Sequence, residues 1–139
     1  MQYVTMLGLA VALAAASPAA AQELDKTTYS QTIIGPWSLH GKIKGSSLVE
    51  VTAASIELDG DIDDRSTVVL TATAGGIHIA KNIEGGAQVV LRAAGPIVID
   101  GKVDGHDPRT RILWCAPSID VKDGLHGDVV PERISDCQR

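Results

Sequence analysis

The sequence predicts an all-β fold, a single-stranded right-handed parallel β-helix (β-solenoid) of about five short turns, and three observations predict it. First, a phrase of the form apolar-x-apolar recurs about every 20 residues, with a further apolar residue six positions from its start. The copies are Trp37-Ser38-Leu39 with Ile43, Ile56-Glu57-Leu58 with Ile62, Ile77-His78-Ile79 with Ile83, Ile97-Val98-Ile99 with Val103, and Ile119-Asp120-Val121 with Leu125. Second, β-branched residues dominate the apolar set and Gly recurs between the short runs. Third, no window beyond the N-terminal run carries a 3.6-residue apolar stripe, so helix is not expected. A unit this short cannot bury its own apolar face and must stack on its neighbours. The competing fold is a β-sandwich, which also uses short strands and frequent turns but gives no reason for a fixed period.

Residues 1–21 read as a cleaved signal peptide. Met1 to Ala16 is apolar without a charged side chain, Ser17-Pro18 breaks the run, and Ala19-Ala20-Ala21 supplies the small residues of a cleavage site. The run falls short of the roughly 20 residues a membrane span needs. The n-region departs from the usual pattern in having no Lys or Arg. The expected location is therefore exported, periplasmic or extracellular, with no membrane span after cleavage. Residues 22–36 are expected to form an N-terminal cap, in which Ile33 and Ile34 precede the first rung, and residues 37–139 the solenoid domain.

Each rung carries a second apolar stretch. These are Val49-Glu50-Val51-Thr52-Ala53, Val68-Val69-Leu70-Thr71-Ala72, Val89-Val90-Leu91-Arg92-Ala93 and, after the polar insertion Gly105-His106-Asp107-Pro108-Arg109, Ile112-Leu113-Trp114. Period-2 alternation puts Val89, Leu91 and Ala93 on one face and Val90 and Arg92 on the other. Stacked at about 4.8 Å, Ile56, Ile77, Ile97 and Ile119 should form one interior column and Ile62, Ile83, Val103 and Leu125 another. Glu57, His78 and Asp120 should then point outward.

The stretch Ala74-Gly75-Gly76-Ile77-His78-Ile79, then Ile83 to Gly95, then Ile97-Val98-Ile99-Asp100-Gly101 resembles the repeats of filamentous-haemagglutinin-type secreted adhesins. The resemblance covers about two turns well and is one of repeat grammar. It implies a right-handed β-helix and adhesion. This chain is far shorter than those adhesins and has no recognisable secretion domain, and no functional residue carries over.

Cys115 and Cys137 are the only cysteines and lie one turn apart, with Arg111-Ile112 before the first matching Arg133-Ile134 before the second. In an exported chain an even pair reads as a disulfide, here a staple holding the C-terminal strand over an open end. Closing a loop of about 20 residues is worth roughly 3 kcal/mol on the chain-entropy model.

The formal charge of −5 and the scattering of Lys and Arg among acids argue against nucleic acid as a partner. Phe is absent and the mature chain holds only Tyr29, Trp37 and Trp114 as aromatics, so stacking platforms for sugars are scarce. Asp63, Glu84 and Asp104 share one offset and should form an outer column. A hard cation would relieve their repulsion; the alternative is that they fan into solvent, with Lys44 and His126 at the column's ends. In that case Asp104→Asn should be neutral or slightly stabilising. Acid–base pairs such as Asp59 with Asp100, or Asp63 with Glu84, could in principle serve hydrolysis. No long loop exists to wall a cleft, and His40, His78, His106 and His126 fall at different offsets without a motif. The sequence therefore reads as a non-catalytic exported β-solenoid, a structural or adhesin-like binding module of the periplasm or cell surface. Its partner would be a cell-surface glycan or protein, or another copy through the solenoid ends. The alternatives are a small polysaccharide-acting lyase or hydrolase using surface carboxylates and a self-assembling filament subunit. No catalytic residue, metal ligand or cofactor site is assigned.

Overall fold

In the computed structural model, which describes residues 23–135 and 137, the chain winds as a right-handed parallel β-solenoid of about six turns. Its 15 strands, numbered in chain order, stack into three faces. The widest is a six-stranded sheet of β2 (Thr28–Thr32), β5 (Leu48–Ala53), β7 (Thr67–Ala72), β9 (Gln88–Ala93), β12 (Arg111–Cys115) and β15 (Glu132–Arg133). The second holds β3 (Trp37–Leu39), β6 (Ile56–Leu58), β8 (Ile77–Ile79), β10 (Ile97–Ile99) and β13 (Ile119–Val121). The third is the narrowest. It pairs β1 (Leu24–Asp25) with β4 (Ile43–Lys44) and β11 (Val103–Gly105) with β14 (Leu125–Gly127). Single bridges from Ile43 to Ile62 to Ile83 to Val103 join the two pairs.

Every pairing is parallel, and the repeat phrase sets its register: Ile56, Ile77, Ile97 and Ile119 lie opposite one another in turn. Identical or near-identical aliphatic side chains therefore stack rung on rung. Ile43, Ile62, Ile83 and Val103 are all fully buried, as are Leu58, Ile79 and Ile99. The six-stranded face adds Val68, Val89 and Ile112 in one column and Val51, Leu70 and Leu91 in another. The outward residues Glu57 and Asp120 are exposed and His78 is half-buried.

The sixth turn comes from the segment read as a cap. β1 pairs with β4 and β2 with β5, in register from Thr28 opposite Leu48 to Thr32 opposite Thr52. The aliphatic phrase does not announce this rung because Tyr29 and Gln31 take the positions that Val49 and Val51 take below them. Their polar atoms satisfy one another: Tyr29 Oη donates to Gln31 Oε1 at 2.6 Å and accepts from Trp37 Nε1 at 3.2 Å. A half-buried hydroxyl and a buried indole N–H are tolerated once paired. Ile33 packs against the core, whereas Ile34 is 98% exposed.

At the other end two expectations need correction. The interior column expected to include Leu125 stops short of it: Leu125 is 47% exposed, because among the described residues no rung lies above it. Ile119 is half-buried for the same reason. Val129 covers part of the end, lying where a side chain on Gly105 would otherwise project. The disulfide between Cys115 and Cys137 is present, with Cα atoms 5.1 Å apart. The Arg-Ile match is not the pairing register, however: Trp114, not Arg111, lies opposite Arg133. The Arg133 guanidinium sits 5.3 Å from the Trp114 ring centroid, a cation–π contact that favours this register. Cys115 lies opposite Arg92 and is itself buried.

Candidate functional site

Stacking turns sequence offsets into surface rows. On the five-stranded face the outward residues are Ser38, Glu57, His78, Val98 and Asp120, one per rung. A second row, just past the strands, holds Asp59, Ala80, Asp100 and Lys122, whose backbone N–H groups donate to Leu39, Leu58, Ile79 and Ile99 respectively. Between these rows and the turn before the strands runs an open groove of about 720 Å³. Ser38, Ser55, Glu57, His78, Asp100 and Lys122 supply its polar lining and Pro36, Pro96 and Val98 its apolar part. Gly76 lies in its floor, where an added Cβ would collide with the Pro96 carbonyl, so the floor stays flat.

His78 is the centre of this groove. Its Nε2 lies 2.7 Å from Asp100 Oδ2 on the next rung, and its Nδ1 lies 3.5 Å from Glu57 Oε2 on the rung before. One imidazole thus links three rungs through two carboxylates. His40 makes a similar link, Nδ1 to Asp59 Oδ2 at 3.3 Å. Asp59 and Asp100, paired in the sequence reading as a potential acid and base, are two rungs apart with Ala80 between them, and each is engaged with its own histidine. The Glu57–His78–Asp100 chain was missed from sequence because His78 matched no motif. The signal that could have found it is the rung offset: Glu57 and His78 occupy one position of the repeat, and Asp100 lies two residues beyond that position on the following rung.

On the narrow face the acidic row is as expected in its placement. Asp25, Lys44, Asp63, Glu84, Asp104 and His126 follow one another on successive rungs. The carboxylates do not turn towards a common point. Asp63 Oδ1 accepts from the Asp64 backbone N–H at 2.7 Å. Asp104 accepts from the His106 backbone N–H at 3.0 Å, touches the His106 ring at Nδ1 and lies 3.5 Å from the Lys102 ammonium. These donors hold the Asp104 carboxyl down at about 2, the His106 backbone hydrogen bond being the largest cause. Glu84 moves the other way: burial, then the charges of Asp63 and Asp61, push its carboxyl above the usual range. The depression beside this row, about 270 Å³, is lined by Asp63, Glu84, Gly85, Asp104, His106 and Asp107. Among the described residues, no three His, Cys, Asp or Glu side chains are arranged to hold a metal ion.

A third cluster sits at the corner between the narrow and wide faces. Lys26, Lys44, Arg65 and Arg109 surround it together with Asp25, Asp64 and Asp107, so its cations and carboxylates largely cancel. Asp107 accepts from the Arg109 backbone N–H, Nε and Nη2, each at 3.0 Å. No helix among the described residues is long and apolar enough to cross a membrane.

No family model, curated protein or solved structure matches the chain. The parallel solenoid implied by the resemblance to filamentous-haemagglutinin-type repeats is the fold observed.

Proposed function

We propose that the protein is an exported β-solenoid scaffold whose five-stranded face is a binding surface for an extended, hydroxyl-rich ligand, in the manner of a small adhesin-like module of the periplasm or cell surface. The observation that carries this reading is the groove itself. It is open along its length, it crosses the rungs, and it offers hydroxyl, carboxylate, imidazole and ammonium groups at intervals of about 4.8 Å, close to the advance of one sugar along a linear glycan. A surface of this kind favours a ligand that lies along the solenoid axis. Export rests on the N-terminal reading, residues 1–21 being removed before the module folds. The test is a glycan and peptidoglycan panel probed with the purified protein, with Glu57→Gln and Lys122→Ala as groove variants. Saturable binding to a linear glycan that weakens in both variants supports the proposal; binding unchanged in both, or none across the panel, refutes it.

The His78–Asp100 contact favours a second reading, a polysaccharide-acting enzyme in which His78 moves a proton and Asp100 orients its ring. Release of reducing or unsaturated sugar ends that disappears in His78→Ala supports this reading over simple binding.

A further inference from the structure

The three faces of the solenoid differ in what they show to solvent. The narrow face carries a titratable side chain on every rung, from Asp25 to His126, and the five-stranded face mixes polar groups with Ala80, Val98, Pro36 and Pro96. The six-stranded face is different. Its central outward row reads Ser30, Glu50, Val69, Val90, Leu113 and Glu132, so three aliphatic residues stand together between two carboxylates. Beside them Leu48 is 52% exposed. The flanking row runs Thr52, Thr71 and Arg92, so the strip is bordered by two short side chains and one guanidinium, which the axis proposed below sets against Thr71 of the partner subunit. Val69, Val90 and Leu113 are each half-buried, and their outer faces form a continuous apolar strip across three rungs of the broadest sheet.

We propose that this face packs on the same face of a second copy, about a two-fold axis that lies along the strands between Val69 and Val90. Two observations select a second copy as the occupant. The first is charge. That axis places Val69 against Val90 of the partner subunit, Glu50 against Leu113 of the partner subunit and Leu48 against Arg111 of the partner subunit. Glu50 and Leu48 are separated by one residue on β5, so the carboxylate of Glu50 comes beside the guanidinium of Arg111 of the partner subunit, and the symmetry makes this pair twice. Within its own chain Arg111 Nη2 lies 3.5 Å from Glu132 Oε1, so in the dimer the guanidinium is shared between that exposed carboxylate and Glu50 of the partner subunit. The second is area. Strands of six residues span about 20 Å and six rungs about 24 Å, which gives roughly 500 Å² a copy and about 1,000 Å² in all, the lower bound for a specific interface. Aligned packing of two twisted sheets at about 10 Å is a standard way to close such faces. The corner where Cys137 joins Cys115 meets Thr52 of the partner subunit, whose small side chain leaves room. The grooves on the five-stranded faces stay open in this arrangement, so the inference stands apart from the proposed ligand.

Sedimentation velocity over a concentration series tests it. The purified protein should pass from monomer to dimer and no further. Val90→Arg should weaken dimerisation by at least about tenfold without lowering the melting temperature of the monomer, since the residue lies outside the core. Glu50→Arg should weaken it as well, and Arg111→Glu added to that variant should restore it. The proposal is overturned by a monomer at every concentration, by an assembly that Val90→Arg leaves unchanged, or by a double variant that dimerises no better than Glu50→Arg alone.

Discussion

Ile97 and Ile119 open the same phrase on consecutive rungs and lie directly opposite each other, yet Ile97 is fully buried and Ile119 only half so. The third member of the phrase diverges further: Val103 is 0% exposed and Leu125 47%. Local sequence does not explain this, because the phrase is equally apolar in both copies. What differs is the neighbour. A solenoid residue owes its burial to a rung on each side, so the same motif is core in the middle and surface at an end. The chain meets this problem differently at its two ends. The first rung closes with a hydrogen-bonded Tyr29–Gln31–Trp37 group, and the last with Val129 and a covalent cross-link.

The comparison breaks if a large aliphatic side chain costs the same to remove from the middle of the solenoid as from its end. Ile97→Ala should lower stability by about 2–5 kcal/mol, the range for a large side chain deleted from a packed core. Leu125→Ala should cost under about 1 kcal/mol, because little area leaves water there. Urea denaturation of the two variants measures both. Equal losses would mean that the C-terminal rung is as well packed as the centre, contrary to its exposure.

Removing the cross-link sharpens the same contrast. Cys115→Ser with Cys137→Ser should cost roughly 3 kcal/mol on the chain-entropy model for a sequence separation of 22. The loss should be local. Hydrogen exchange should speed up in β12 to β15 while β6 to β10 keep their protection, as expected when one end of a solenoid frays. Uniform acceleration along the chain would instead mark a single cooperative unit.

Much of this arrangement was legible in the sequence, and the reason is geometric. Where a rung is flanked on both sides, burial follows from a residue's place in the phrase, so the columns headed by Ile56 and Ile62 could be read by offset alone. The first rung was not legible because its inward residues are Tyr29 and Gln31, whose pairing is a three-dimensional fact. The register at Cys115 was misread because the matching Arg-Ile dipeptides suggested one alignment and the contact of Arg133 with Trp114 enforces another. The Glu57–His78–Asp100 chain needed the diagonal between rungs, which a column of equal offsets does not display. The placement of the acidic row follows from the repeat, but the donors that Asp63 and Asp104 find within their own turns do not.

A corner glycine probes the same dependence on the adjacent rung at smaller scale. Gly85 has φ +66°, and a Cβ there would run into the Asp63 carboxylate below it. Asp64 and Arg65 hold positive φ values of 56° and 60° at the matching corner without being glycine, so the backbone shape alone is tolerated. Gly85→Ala should therefore cost more than the roughly 1 kcal/mol of a left-handed alanine. In an Asp63→Ala background the excess should shrink but not vanish, because the Cβ would still lie 2.9 Å from the Asp64 backbone N, and thermal melts of the four combinations would show this.

The smallest effects expected lie within the acidic row, where neighbouring carboxylates should respond to pH with opposite sign. Asp104 titrates at about 2 in the folded protein, below its ordinary value of 3.8, because the His106 backbone N–H and ring hold the charged form. A depressed folded value gives stability that is present above pH 3.8 and is lost as the pH falls towards 2. Asp104→Asn should then be slightly destabilising at neutral pH and without effect below pH 2, the reverse of the relief from repulsion that the row of like charges suggests by itself. Glu84 is raised by burial and by Asp63 and Asp61, so its ionisation opposes folding. Its contribution is fully present below its ordinary value of 4.5 and is lost as the pH rises through its folded value, and Glu84→Gln should stabilise by under about 1 kcal/mol at neutral pH. Melting temperatures of both variants from pH 2 to pH 7 measure the two signs. Two shifts in the same direction would mean that repulsion along the row, and not each carboxylate's own partners, decides its electrostatics.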